Sequence, residues 1–221
     1  MSKMFKTVTQ TINPFTGCKF DCSYCWAKKL ALGKCKYPNF EPTFHPDRMK
    51  KFKTFKAEDF VFVSSMGDIS WIKNEEMVQI ADAIDVSPAR FLIQTKNPRI
   101  FIERGHLFNT PNMIHGCTIE TNRPITVSLA PEPLWRYNYI AADAHPHKFL
   151  SIEPIMDFDL DVFTRWVIDI NPEVVEIGAD NYHNNLPEPS PEKLGKFLHK
   201  LELAGVNVKR KDGLARLLED K

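Results

Sequence analysis

The chain is poor in cysteine and has no long apolar run. No stretch approaches the roughly 18 consecutive apolar residues that cross a bilayer, and the N-terminal MSKMFKTVTQ has no apolar signal core. No membrane association and a cytoplasmic location are expected. Five cysteines are an odd number and three fall within eight residues; a chain of 221 residues also buries enough core without stapling, so no disulfide framework is expected. Gly/Ser linkers, low-complexity tracts and solenoid repeats are missing too, so nothing divides the chain and one domain over residues 1–221 is expected. The seven histidines are scattered, with no pair at helical metal-ligand spacing.

A large net charge is absent as well, but the value of +1 conceals a split. Residues 1–56 hold 12 Lys and Arg against 3 Asp and Glu, and the remainder holds 17 against 25, so the first part is +9 and the rest −8. A basic end of this kind attracts a nucleic-acid backbone or docks an acidic protein, and it also fits a solvated lysine-rich loop. Most of it lies in a segment from about 33 to 58 with little periodicity, the expected excursion from the regular fold.

Short apolar runs alternate with helical patterns along the chain, the sequence form of βα units on a parallel sheet. Strands are expected at 8–13, 60–64, 90–95, 113–119, 148–152 and 173–177, with a weak one at 206–209. Met77, Ile80, Ala81 and Ile84 recur at helical spacing, as do Leu194, Phe197, Leu198 and Leu201; Leu160, Phe163 and Val167 mark a third stripe. Six or seven units fall short of the eight that close a (β/α)8 barrel, so the expected fold is α/β, a partial (β/α)6-7 barrel of TIM type.

Against this background Cys18, Cys22 and Cys25 stand in a C-x3-C-x2-C spacing with no fourth cysteine close by. Three thiolates hold three irons of a 4Fe-4S cluster and leave the fourth open to a ligand, whereas a structural zinc or iron site closes its coordination. Adding Cys35 gives a rival, a four-thiolate zinc knuckle, although knuckles usually pair two C-x2-C units. Cys117 falls in a strand on the face turned toward the helices and reads as packing.

Active sites of such barrels gather at the carboxyl ends of the strands. Those positions here are polar: Ser65-Met66-Gly67-Asp68, Thr95-Lys96-Asn97, Thr118-Ile119-Glu120-Thr121-Asn122, Ser151-Ile152-Glu153 and Gly178-Ala179-Asp180-Asn181. Ordinary turn and cap chemistry accounts for Asp180 or Ser151. It accounts less well for Glu120 and Glu153, since glutamate is a mediocre cap, and these two point toward a ligand.

The segment TINPFTGCKFDCSYCWA resembles the signature of the radical S-adenosylmethionine (SAM) superfamily. Over nearly the whole chain the blocks FVFVSSMGDIS, FLIQTKNPRIF, GCTIETN, KFLSIEPI, VVEIGADN and GVNVKRKDG look, in this order, like a phage-associated radical SAM family of unknown function related to spore photoproduct lyase. The glycine-glycine-glutamate that binds the SAM amino group in many relatives stands here as Met66-Gly67-Asp68. The resemblance implies that Cys18, Cys22 and Cys25 ligate a 4Fe-4S cluster whose open iron is chelated by SAM. It implies Tyr24 beside the adenine, Ser65 and Asp68 at the methionine amino group, Lys96 and Ser151 at the carboxylate, and Glu120 with Asn122 at the ribose or methionine end. Thr118 and Glu153 complete the expected SAM contacts.

The implied activity is reductive cleavage of SAM, by one electron from an external flavodoxin- or ferredoxin-type donor, to a 5′-deoxyadenosyl radical that abstracts hydrogen from a substrate. Kinship to spore photoproduct lyase and the basic end indicate nucleic acid, through repair or base modification. The alternatives are a small-molecule or peptide substrate, with the basic end serving the donor, and a non-catalytic zinc or iron-sulfur protein that binds nucleic acid.

Overall fold

The computed structural model describes residues 5–219. Nine strands and six α-helices follow in chain order: β1 Gln10–Ile12, β2 Phe15–Thr16, α1 Trp26–Leu32, β3 Thr43–Phe44, β4 Phe60–Val63, α2 Asn74–Asp85, β5 Arg90–Thr95, α3 Arg99–Glu103, β6 Met113–Thr118, α4 Pro133–Ala142, β7 Lys148–Ile152, α5 Leu160–Ile170, β8 Val174–Ile177, α6 Pro191–Leu203 and β9 Val208–Arg210. Seven strands form one parallel sheet in the order β1-β4-β5-β6-β7-β8-β9, so each strand pairs with the next in the chain once the β2/β3 ribbon is set aside. The sheet curls into a partial barrel whose lateral edges are β1 and β9. The expected strand at 206–209 forms two residues later, because Val206 packs against the helical layer while Val175 and Ile177 pair with Val208 and Arg210.

Strand alternation sorts the side chains into two cores. Outward-facing Val61, Val63, Phe91, Ile93, Leu150, Ile152, Val175 and Ile177 meet the apolar stripes of α2, α5 and α6, where the rings of Phe163 and Phe197 stack 5.3 Å apart. These stripes hold because the helices begin cleanly. Glu76 accepts from the Lys73 N–H at the start of α2, and the Ser190 hydroxyl accepts from the Lys193 N–H ahead of Pro191 in α6. Cys117 lies wholly buried in this outer core. The excursion after residue 33 contains β3 and a 3-10 stretch, Pro46–Thr54, whose buried Phe52 stacks on Phe91 at 5.5 Å.

The barrel interior has an apolar floor of Phe62, Leu92, Ile114 and Phe149, and a polar layer above it in which Thr118, Ser151 and Glu176 are register partners across β6, β7 and β8. The chain ahead of β1 completes the floor. Phe5, fully buried, sets its ring 5.3 Å from Phe62 and 5.0 Å from Phe149, with the Lys211 ammonium 4.7 Å away. The Glu176 carboxylate, also fully buried, accepts from Lys6 N (2.8 Å), Thr7 N (2.9 Å) and the Thr7 hydroxyl (2.7 Å). A carboxylate buried in an apolar setting is costly unless its oxygens are bonded, and here the N-terminal segment supplies the donors. Among the described residues no helix is long and apolar enough to cross a membrane.

Replacing Glu176 by alanine strands these donors and frees the floor segment. The expected cost is about 3 kcal/mol, read as a lowered urea midpoint at unchanged slope; a change within about 0.5 kcal/mol would show that the segment is not held from Glu176.

Candidate active site

The cysteine loop is clasped on both sides. Gly17, at φ +90°, forms a parallel bridge with Gly67: Gly17 N donates to Met66 O (2.9 Å) and Asp68 N to Gly17 O (3.2 Å). A β-carbon on Gly17 would sit 2.1 Å from Glu41 O, and one on Gly67 2.7 Å from Gly17 O, so only glycine permits this approach. Cys18 N donates to Phe40 O (3.0 Å), which brings the excursion against the loop. On the other side Ser23 N donates to Val127 O (2.9 Å) and Leu129 N to Phe20 O (2.6 Å), so the segment between β6 and α4 lies along the loop.

Cys18, Cys22 and Cys25 all line one end of a cavity of about 690 Å³ at the carboxyl ends of the barrel strands. Cys18 Sγ accepts from Phe20 N (3.4 Å) and Cys25 Sγ from Lys28 N (3.3 Å), while Cys22 Sγ lies 3.0 Å from the Ser128 hydroxyl. Burial pushes the Cys18 thiol well above its ordinary value, with the Asp68 charge adding to the effect, and burial raises Cys25 as well. These thiols ionise readily only when a cation joins them. Among the described residues no group of three His, Cys, Asp or Glu side chains, the three cysteines included, stands so that it could hold a single metal ion. Cys35 is exposed and lies outside the cavity that the other three share.

Of the further residues expected at a cofactor, Tyr24, Ser65, Asp68, Lys96, Thr118, Ser151 and Glu153 line this cavity; Glu120 and Asn122 do not. Asn122 is turned to the rim, where it donates to the Asp159 carboxylate (3.0 Å) and accepts from Asp159 N (2.8 Å). Strand alternation sets Thr118 inward, but β6 ends there, so it no longer governs the side chains beyond. Ser65 donates to Asn13 Oδ1 (3.1 Å). The Asp68 carboxylate accepts from Ser70 N, the Ser70 hydroxyl, the Thr95 hydroxyl (2.6 Å) and Lys96 N (2.8 Å), and so orders the ends of β4 and β5. Glu153 pairs with Lys211, and burial raises its pKa against that charge.

Glu120 lies one layer behind the cavity wall with no exposed surface. One oxygen accepts from the Tyr24 hydroxyl (2.6 Å) and the Lys96 ammonium, and the other from Arg136 Nη1 (2.7 Å). Burial alone would push this carboxyl up; the charges of Lys96 and Arg136, with the bonds from Lys96 and Tyr24, outweigh burial and hold it at about 2.

Several participants carry no signal in the sequence pattern. Arg136 is fully buried, although a lone arginine in a helical stretch reads as solvent-facing. Gln94, which donates to the Thr118 hydroxyl (2.8 Å), sits inside a strand rather than at its end. Lys211 follows β9 directly, and reading that strand two residues early hides it from a search of strand ends.

No family model matches the chain, and no curated protein matches it. Several solved structures share its fold. The Streptococcus suis protein SuiB, bound to precursor peptide SuiA, aligns with a TM-score of 0.65 at 8% identity, covering 94% of this chain and 49% of that one. A radical SAM methyltransferase from Sphaerobacter thermophilus aligns with a TM-score of 0.56 at 14% identity, covering 95% and 68%. The fold is thus the partial barrel of radical SAM type, and the chain spans about half the length of the SuiB chain.

Because Glu120 is held below its ordinary value of 4.5, its contribution is complete above that pH and is lost as pH falls toward 2. The shift corresponds to about 3 kcal/mol. Urea titrations from pH 6 to pH 2.5 should show an acid limb that flattens in Glu120→Gln; an unchanged limb would place the acid-sensitive group elsewhere.

Proposed function

We propose that the chain is a radical SAM enzyme. The observation that carries this reading is the placement of three C-x3-C-x2-C thiols at one end of a cavity at the carboxyl ends of seven parallel strands. The donor set fits the cluster: three soft sulfur ligands on one loop suit iron, and the absence of a fourth cysteine from the cavity lining leaves one coordination position for a cofactor. Cys18, Cys22 and Cys25 would hold the 4Fe-4S cluster, which when bound supplies one electron that cleaves SAM to methionine and a carbon radical able to take hydrogen from a substrate. The protein's own part is to bind, orient and exclude water.

In this reading Lys96 presents its ammonium to the methionine carboxylate, with the Ser151 hydroxyl nearby. Tyr24 offers its ring to the adenine, and Ser65, Asp68 and Thr118 supply polar edges. The Glu153–Lys211 pair lines the same cavity, with the Lys211 ammonium over the Phe5 ring of the apolar floor. The electron comes from an external donor of the flavodoxin or ferredoxin type, in a cytoplasmic setting.

Nucleic acid is the substrate class we favour, for repair or base modification. It is supported by the exposed lysines at positions 34, 36, 50, 51, 53 and 56 in the excursion, whose Phe40 meets the cysteine loop, and by the resemblance to the phage-associated family related to spore photoproduct lyase. A peptide substrate is the second reading, favoured by the likeness in fold to SuiB, whose structure holds a precursor peptide.

After anaerobic reconstitution with iron and sulfide, dithionite and SAM should yield 5′-deoxyadenosine in the native protein and in Cys35→Ala, and none in Cys22→Ala. Zinc bound in place of iron, with Cys35→Ala losing it, would instead support the knuckle. Affinity for DNA or RNA that falls steeply with salt would support the nucleic-acid reading, and salt-independent or absent binding would favour the peptide.

A further inference from the structure

The groups that tie the cysteine loop to the barrel stand in two ranks. Lys96 and Tyr24 line the cavity, while Glu120 and Arg136 are fully buried behind them. Resting on the reading above, we infer that Arg136 is a positioning residue for the amino-acid end of SAM, acting through Glu120 on Lys96.

The division of the Glu120 carboxylate carries this. Arg136 Nη1 occupies Oε2 at 2.7 Å and is itself fixed by Thr118 O at 3.2 Å, while Arg136 Nε donates to Pro131 O. With one oxygen held from behind, the carboxylate cannot turn, and both cavity-facing groups meet the other oxygen. Lys96 has three donors. One goes to Glu120 and one to the Tyr24 hydroxyl at 3.2 Å, which leaves the third for a ligand. Without Arg136, Oε2 becomes a buried acceptor with no partner, and the ammonium satisfies it best by moving back to span both oxygens. Arg136 also supplies Glu120 with a counter-ion of its own, so the Lys96 charge stays available to an anion in the cavity.

Stability alone is a poor account of this arginine. Its Nη2 is buried with no hydrogen-bond partner, and a buried ion pair is commonly matched or bettered in stability by apolar residues of similar volume. An unpaired buried donor kept at such a place calls for another role.

The test uses cluster-loaded protein, with iron and sulfide content measured first. Calorimetric titration compares S-adenosylhomocysteine with 5′-methylthioadenosine, which lacks the amino-acid end. Native protein should prefer the first ligand. Arg136→Met should lower affinity for S-adenosylhomocysteine at least tenfold and leave methylthioadenosine within about twofold, and Arg136→Lys should recover part of the loss. The double variant Glu120→Gln/Arg136→Met leaves neither member of the pair charged, so it should regain stability toward urea without regaining the preference. Binding of S-adenosylhomocysteine by the double variant at native strength, or an equal fall for both ligands in Arg136→Met, would overturn the inference and leave the pair as plain structure. Native protein with iron and sulfide loaded that binds neither ligand would overturn the radical SAM reading itself.

Discussion

One buried carboxylate ties the candidate site together. Glu120 stands just past the end of β6, and its two oxygens gather a tyrosine from the cysteine loop, a lysine from the end of β5 and an arginine from α4. Three elements distant in sequence thus converge on a single charge. Taking that charge out of water costs several kcal/mol, and only the two cations and the phenol make its burial tolerable. The same balance depresses its pKa and locks Tyr24 between Cys22 and Cys25 against the barrel wall. The cysteine loop is therefore not a free appendage: its geometry is set from the strand ends.

A second constraint is steric. The Gly17–Gly67 bridge allows backbone to approach backbone more closely than any β-carbon would permit, which brings the start of the cysteine loop onto the loop after β4. Where many relatives of the family it resembles place glycine, glycine and glutamate, this chain has Met66, Gly67 and Asp68. Gly67 serves the clasp, and Asp68 spends its carboxylate on Ser70, Thr95 and the Lys96 backbone. Asp68 thereby orders the two strand ends that present Ser65 and Lys96 to the cavity.

Much of this was legible in the sequence, for a physical reason. Parallel strands in a barrel read as short apolar runs, and the strands form at or within two residues of those runs, the last being displaced toward the C-terminus. The rule that chemistry collects at strand ends brought Ser65, Asp68, Lys96, Thr118, Ser151 and Glu153 to one cavity with the three cysteines. Local pattern says nothing, however, about partners far apart in the chain. Arg136 lies 16 residues from Glu120 and on another element, and the hold of Glu176 on Lys6 and Thr7 spans about 170 positions. Asn122, which the resemblance places at the cofactor, stands past the end of β6, where strand alternation no longer sets direction, and bonds Asp159 instead.

The central claim is that the three thiols hold a cluster with one iron open to SAM. Low-temperature electron paramagnetic resonance of the reconstituted, dithionite-reduced protein, recorded with and without SAM, tests it most directly. The account predicts the signal of a reduced 4Fe-4S cluster whose g values shift when SAM is added. A signal indifferent to SAM would mean a cluster with closed coordination and would contradict the account.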